Sequence, residues 1–337
     1  MDTEFHYYWT GIIAKASGFS TEESAIIAKA SEHVDENDTK IFVKNRKTGF
    51  IYESYISQTM NILKPKNILM RIYPVFHFIP GDPWAESAQR RDGKMHVLNT
   101  TPDNEIANTL LDEAFKAPED VRLYRIGIAA HAFADTWAHQ NFIGWQDFFN
   151  NIGLDLKFNV GHADAEYHPD MVAHRWEDSR LREQCVCNNT RFFDAAGRLY
   201  EKFRYFTTNV LQRSVPNSWN ELFAFFSKAT NSSCSGPFNH NRTSRNIMYQ
   251  AQAPWLGEYD EREWLNEAIV TKVHGLPDEK PGALFTVFDD ESFWREDVNM
   301  EDTHWFRFQE SIKAHQKRAL ELIQPKFDVM GIKLRDN

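Results

Sequence analysis

The sequence predicts an all-α, mainly helical fold, and three observations carry that expectation. Helix-start signals recur, most completely where Ser20 is followed three residues later by Glu23, the reciprocal capping pair. Apolar residues return at helical spacing in several long stretches, as in STEESAIIAKASEHV and SIKAHQKRALELI. Strand-type residues are concentrated near 41–55 and in one run broken by Pro74 and Pro80.

Taken in order, residues 3–17 read as a helix that closes near Gly18, and Ser20 caps a second helix running to about Asp35. IFVKNRKTGFIYESYIS places β-type residues around a Lys-Thr-Gly turn and predicts a short hairpin near 41–55. NILMRIYPVFHFIPGDP reads as a buried strand or loop. Thr101 and Pro102 open a helix running to about Lys116, and Pro118 opens the next, ending near Gly144. Pro169 ends a short helix in GHADAEYHPD. NTRFFDAAGRLYEKFRYFTTN and SWNELFAFFSKATN are amphipathic helices, and a last helix ends before Pro325. Residues 231–300 carry the weakest pattern.

Composition narrows the function. Hydrophobic residues make up 42% of the 337, too many for disorder, and 26 Phe with 10 Trp make the expected core aromatic. The net charge of −10 argues against a general nucleic-acid binding surface, which needs a basic face. Cys185, Cys187 and Cys234 are too few and wrongly spaced for a disulfide framework or a cysteine–zinc site, and Cys185 and Cys187 read as ordinary thiols. The start MDTEFHYYWTG has no basic segment followed by an apolar run, and no stretch approaches the ~18 apolar residues of a membrane span. Cytoplasmic location is the expectation.

One stretch breaks the core-helix pattern. IAAHAFADTWAHQ sets His131, Asp135 and His139 four residues apart among alanines and phenylalanine. Residues at that spacing share a helix face, and burying an unpartnered carboxylate costs several kcal/mol. A metal ion removes the cost by turning the carboxylate and the imidazoles into ligands; the alternative is a polar, solvent-facing stripe. Further candidates are His162 and Glu166, four apart in GHADAE; His6 among aromatics in FHYYW; Asp35 at the acidic end of the second helix; and His77 between apolar residues in VFHFIPG. Each alone also fits a hydrogen-bonded core histidine or a solvated surface acid.

The order of these residues resembles the zinc-dependent phospholipase C and single-strand-specific nuclease superfamily. FHYY, FHFIPG, DTWAHQNF and GHADAEYHPD also look like an uncharacterised bacterial family allied to it. The resemblance implies an all-α core with a cluster of two or three zinc ions. It implies that Asp135 bridges two metals, that Asp35, His77 and His131 complete one site, that His139, His162 and Glu166 hold another, and that His6 belongs to a third. It implies a phosphodiesterase or phosphomonoesterase that acts on a small phosphoester, with Asp35 doubling as the base that orients water. The chain departs from the pattern at its N-terminus, which lacks the superfamily's terminal Trp, so that the site there is expected to be lost, weakened or rebuilt with Glu4 or Asp2. It departs again at His139, which follows Asp135 sooner than usual. Arg71 is a candidate phosphate contact, with an ordinary surface charge as its alternative.

On this reading the chain is a single mainly helical domain over 1–337. A metal-binding core occupies approximately 1–180 and a helical C-terminal extension approximately 181–337. An adjacent His-Asp pair is missing, and Glu301 to His304 is the only Glu-x-x-His, which sets aside two other helical metalloenzyme classes. Iron or manganese suits the same ligand types as zinc. The alternatives to a hydrolase are a non-heme iron or manganese enzyme and a non-catalytic helical metal-binding or interaction protein.

Overall fold

A computed structural model of the chain describes residues 1–59, 69–152, 160–230, 241–274 and 289–334. The fold is mostly helical, with small sheets. A π-helical segment, Glu4–Trp9, leads directly into α1, Thr10–Ala16. α2 spans Thr21–Glu36, and its N-terminus is closed by the Ser20–Glu23 capping box. α3 is Glu105–Ala114, started by the Asn104 side chain rather than by Pro102. α4 is Glu119–Ala138, with Pro118 as its N-cap. α5 (Asn188–Asn209) and α6 (Trp219–Ala229) occupy the two amphipathic stretches. α7 (Arg242–Gln252) and α8 (Glu263–Ala268) arise where the sequence pattern is weakest. α9, His304–Val329, closes the fold.

α4 is the central element, packed against α2, α3, α5 and α9. Every residue from Ile126 to Ala138 is buried, so this helix is enclosed on all sides instead of showing one apolar stripe. Ile128, Phe133 and Trp137 each supply about 1.5–3 kcal/mol of burial. The close crossing of α2 and α4 depends on Gly127. A Cβ there would lie 2.5 Å from the Ile27 carbonyl oxygen and 2.6 Å from the Ala30 Cβ. The core runs on through Phe192 and Phe203 of α5 to Phe308 and Ile312 of α9.

The hairpin forms, with β1 (Phe42–Lys44) antiparallel to β2 (Ile51–Glu53). It belongs to a four-stranded sheet of order β2-β1-β6-β5. β6 (Asp289–Trp294) runs parallel to β1 and antiparallel to β5 (Ile269–His274). A second small ladder pairs β3 (Arg175–Glu177) with β4 (Cys185–Cys187).

Three local expectations need correction. The strand or loop expected around His77 is a π-helical turn, Tyr73–His77. α9 does not stop before Pro325 but continues to Val329. Proline removes one backbone donor there, and burial of Phe327 together with the Lys326 Nζ to Gly81 carbonyl bond of 2.6 Å holds the last turns in place. Cys187 is not an ordinary thiol but is disulfide-bonded, whereas Cys185 is free and exposed; Cys234 lies outside the described residues.

Candidate metal centre

Five separate stretches deliver polar side chains to one buried point beside α4. His6 comes from the first π-helical segment, Asp35 from the last turn of α2, and His77 from the end of the second π-helical turn. His131 and Asp135 come from α4, and His139 is the residue at its C-cap. His162 and Asp170 come from the loop before β3. Single-turn π geometry is frequent at functional sites because the extra residue in the turn re-aims a side chain.

Asp135, 1% exposed, is the hub. Its Oδ1 lies 3.1 Å from His6 Nε2, and its Oδ2 lies 3.3 Å from His77 Nδ1 and 3.2 Å from His131 Nε2. Asp35 faces the same group, with Oδ1 at 3.5 Å from His77 Nδ1 and 3.7 Å from His131 Nε2. Asp170 forms a second hub, with Oδ1 3.0 Å from His139 Nε2 and Oδ2 3.0 Å from His162 Nε2. The Met1 amine links the hubs, hydrogen-bonded to Asp135 Oδ1 and 3.3 Å from Asp170 Oδ1. Three sets of potential ligand atoms emerge: His6, Asp35 and His131; His77, His131 and Asp135; and His139, His162 and Asp170, each within 4.8 Å.

The outward nitrogens fix the chemistry of the inward ones. A backbone carbonyl can only accept, so an imidazole nitrogen bonded to it carries the proton. His131 Nδ1 donates to the Ser31 carbonyl at 2.9 Å, and His77 Nε2 to the Ser57 carbonyl at 2.9 Å. His139 Nδ1 donates to the His77 carbonyl and His162 Nδ1 to the Glu166 carbonyl, both at 2.7 Å. In neutral rings the other nitrogens then carry lone pairs, and all four point at the two hubs. His131 Nε2 and His77 Nδ1 face each other at 3.1 Å. Two lone pairs at that distance repel, as do two N–H groups, so the contact requires a shared cation or one protonated ring. Carbonyl bonds of this kind set the tautomer of metal-binding histidines.

The buried charges hold one another in their ionised forms. Burial works against a charged Asp135, but His139, the Met1 ammonium and His131 outweigh it and hold the carboxyl well below its ordinary range. Burial likewise opposes the charge on Asp170, and His162 with the Met1 ammonium overcomes it. The Met1 ammonium is disfavoured by burial, yet Asp135, Asp170 and Asp35 push it up to about 11. His6 moves down to about 3, mainly through burial and then through His131 and the Met1 charge. Its Nδ1 is buried without a hydrogen-bond partner among the described residues. The Asp135 and Asp170 carboxylates therefore stay ionised among imidazoles of two kinds: burial lowers His6 and His139, while His77 and His162 are raised, against the pull of burial, by the carboxylates they face.

Of the eight residues singled out in the sequence, His6, Asp35, His77, His131, Asp135, His139 and His162 converge. Glu166 does not. The expected helix is only a 3-10 turn, Ala163–Ala165, and Glu166 follows it with a φ of 50°, which turns its side chain out to solvent. Only its backbone carbonyl serves the site, and Asp170 takes the carboxylate position. Pro169, which cannot continue a helix, was the available signal that a residue beyond the turn could fold back. Gly161 permits the reversal: it has a φ of 56°, and a Cβ there would strike Phe78, the ring stacked on His139. Glu4 does not rebuild an N-terminal site, because its carboxylate is turned away onto Arg245 at 2.7 Å. The position anticipated for Asp2 or Glu4 is occupied by the backbone amine of Met1, which side-chain patterns do not reveal.

Wide clefts lie elsewhere. One of about 960 Å³ between α3 and α5 is lined by Phe115, Arg122, Arg198 and Tyr205. At the centre itself the partly exposed side chains are Asp35 at 26% and His162 and Asp170 at 20% each, which defines the face open to solvent. Comparison with curated proteins and with solved structures finds no match. One family model matches residues 1–323, nearly the whole chain, including every residue of the centre. The chain belongs to the DUF6765 family, a family of unknown function.

Proposed function

We propose that this protein is a metal-dependent hydrolase of small phosphoesters, with an arrangement like that of the zinc-dependent phospholipase C and nuclease superfamily. The observation that carries the reading is the set of four imidazoles whose outward N–H groups are committed to carbonyls while their inward nitrogens meet the carboxylates of Asp135 and Asp170. Asp35, His77, His131 and Asp135 would hold one ion, and His139, His162 and Asp170 another. His6, on Asp135 Oδ1, would serve a third. Zinc there would acidify water and stabilise phosphoryl oxygens; iron or manganese would suit the same ligands.

The residues divide the remaining work. Asp135, fully buried and in contact with both the His6 and the His77–His131 sides, holds the two sides at a fixed separation. Asp35 stands at the open face, where its carboxylate can orient and deprotonate a water; Gln58 Nε2 steadies it from 3.4 Å. The partial exposure of Asp35, His162 and Asp170 favours a catalytic over a closed, structural centre, since a structural site encloses its metal.

Metal analysis of the purified protein, followed by a phosphodiester and phosphomonoester screen with and without chelator, tests this. Two or three transition-metal ions per chain and chelator-sensitive hydrolysis are expected. A metal-free protein after zinc reconstitution would end the metal reading. A fully metallated protein that cleaves no phosphoester would leave a binding protein.

A further inference from the structure

The second half of the chain contributes a residue that the metal reading alone does not call for. Arg191 lies in the first turn of α5, with its guanidinium pressed into the junction between the end of α4 and the loop that carries Asp170. Its Nη1 donates to the carbonyls of Trp137 at 2.9 Å and Ala138 at 3.2 Å. Its Nη2 donates to the Pro169 carbonyl at 3.3 Å and to Asn188 Oδ1 at 2.6 Å. Asn188 then grips the same loop, its Nδ2 donating to the carbonyls of His168 at 2.8 Å and Met171 at 2.7 Å.

The bonded carbonyls are placed tellingly. Ala138 directly precedes His139, and Pro169 directly precedes Asp170. One planar group therefore fixes the two peptide planes from which a histidine ligand and its carboxylate partner emerge. A helix C-terminus alone needs a donor only for its own last carbonyls, such as those of Trp137 and Ala138. The reach to Pro169, reinforced by Asn188, serves the relation between two ligands instead. Arg191 does not touch the Asp170 carboxylate through any bond to its oxygens, which stay directed at His139 and His162.

We infer that Arg191 is the positioning residue of the His139–His162–Asp170 group, holding those side chains at the spacing a metal ion needs. The inference rests on the metal reading proposed above. It gives the helical extension beyond residue 180 a definite part in the centre: α5 sets one metal position that residues of the first half supply. Lysine cannot substitute, because a single ammonium cannot span both peptide planes as the guanidinium fork does.

The test compares zinc binding by wild type, Arg191→Met, Arg191→Lys and Arg191→Ala, with Arg204→Met on the exposed face of the same helix as control. Zinc content is measured after equilibration with graded chelator, alongside melting with and without zinc. Expected is a loss of about 10- to 100-fold in affinity for one ion per chain in R191M and R191K, the remaining ions and R204M being unchanged. Low-millimolar guanidinium should restore that ion to R191A. Should R191M fail to fold, R191K and rescued R191A carry the same comparison. Unchanged affinity with equal loss of melting temperature in the zinc-free and zinc-loaded forms would reduce Arg191 to a helix cap and overturn the inference. So would tighter binding, which would mean that removing its charge outweighs loss of position. Wild type that takes up no zinc would instead refute the metal reading beneath it.

Discussion

Replacing Asp135 with asparagine perturbs the centre at its hub while preserving shape. The carboxylate is 1% exposed and has imidazole nitrogens at 3.1, 3.2 and 3.3 Å. A cation lodged among those nitrogens lies within about 4 Å of the carboxylate, where unit charges at an effective dielectric of about 20 attract by about 4 kcal/mol. At about 1.4 kcal/mol per decade, loss of the charge lowers affinity about a thousandfold for each ion that Asp135 touches. The amide worsens the loss by directing an N–H group at a lone pair or at the Met1 amine. The assay is chelator competition on purified Asp135→Asn, with circular dichroism to verify the fold and phosphoester hydrolysis measured on the same samples. Zinc affinity and any hydrolysis should fall together. A variant that keeps its full complement of metal at wild-type affinity would refute the role of Asp135 as a shared ligand, and with it the electrostatic argument for the centre.

Two further outcomes follow from the fold. Gly127→Ala should destabilise the protein by about 1–3 kcal/mol in urea unfolding, because the added methyl meets the Ile27 carbonyl at 2.5 Å; this outweighs the roughly 1 kcal/mol that alanine gains in a helix. The same variant should weaken metal binding, since the displaced α4 carries His131 while α2 carries Asp35. His315, buried against Phe76 with Nε2 3.2 Å from the Val75 carbonyl, is pushed down to about 3, chiefly by burial and then by Arg125. Its folded value lies below its unfolded value, so the unfolded chain takes up the proton first. Its contribution is complete above about pH 6.5 and is lost as pH falls towards 3, by up to about 1.4 kcal/mol per unit. His315→Leu should flatten the stability profile between pH 6 and 4; a parallel profile would show that His315 is not neutral in the fold.

Features that depend on neighbours along the chain are legible in the order of amino acids alone. The Ser20–Glu23 box, the start of α4 at Pro118 and the 42–53 hairpin follow from bonds and turns made within a few residues. The i, i+4 relation of His131 to Asp135 follows from helical period alone, and seven of the eight residues marked as ligands meet. The remaining features depend on long-range packing, because their causes are distant in sequence. Glu166 and Asp170 are both acids near His162, and the choice between them was made by a left-handed turn and by the Arg191–Asn188 clamp from α5. The parallel pairing of β6 with β1 joins segments about 250 residues apart, and the place of the Met1 amine depends on a backbone atom with no side-chain signature. A lone pair can be counted from a sequence, but its direction is set by the carbonyl that takes the ring's other proton, and that carbonyl belongs to another part of the fold.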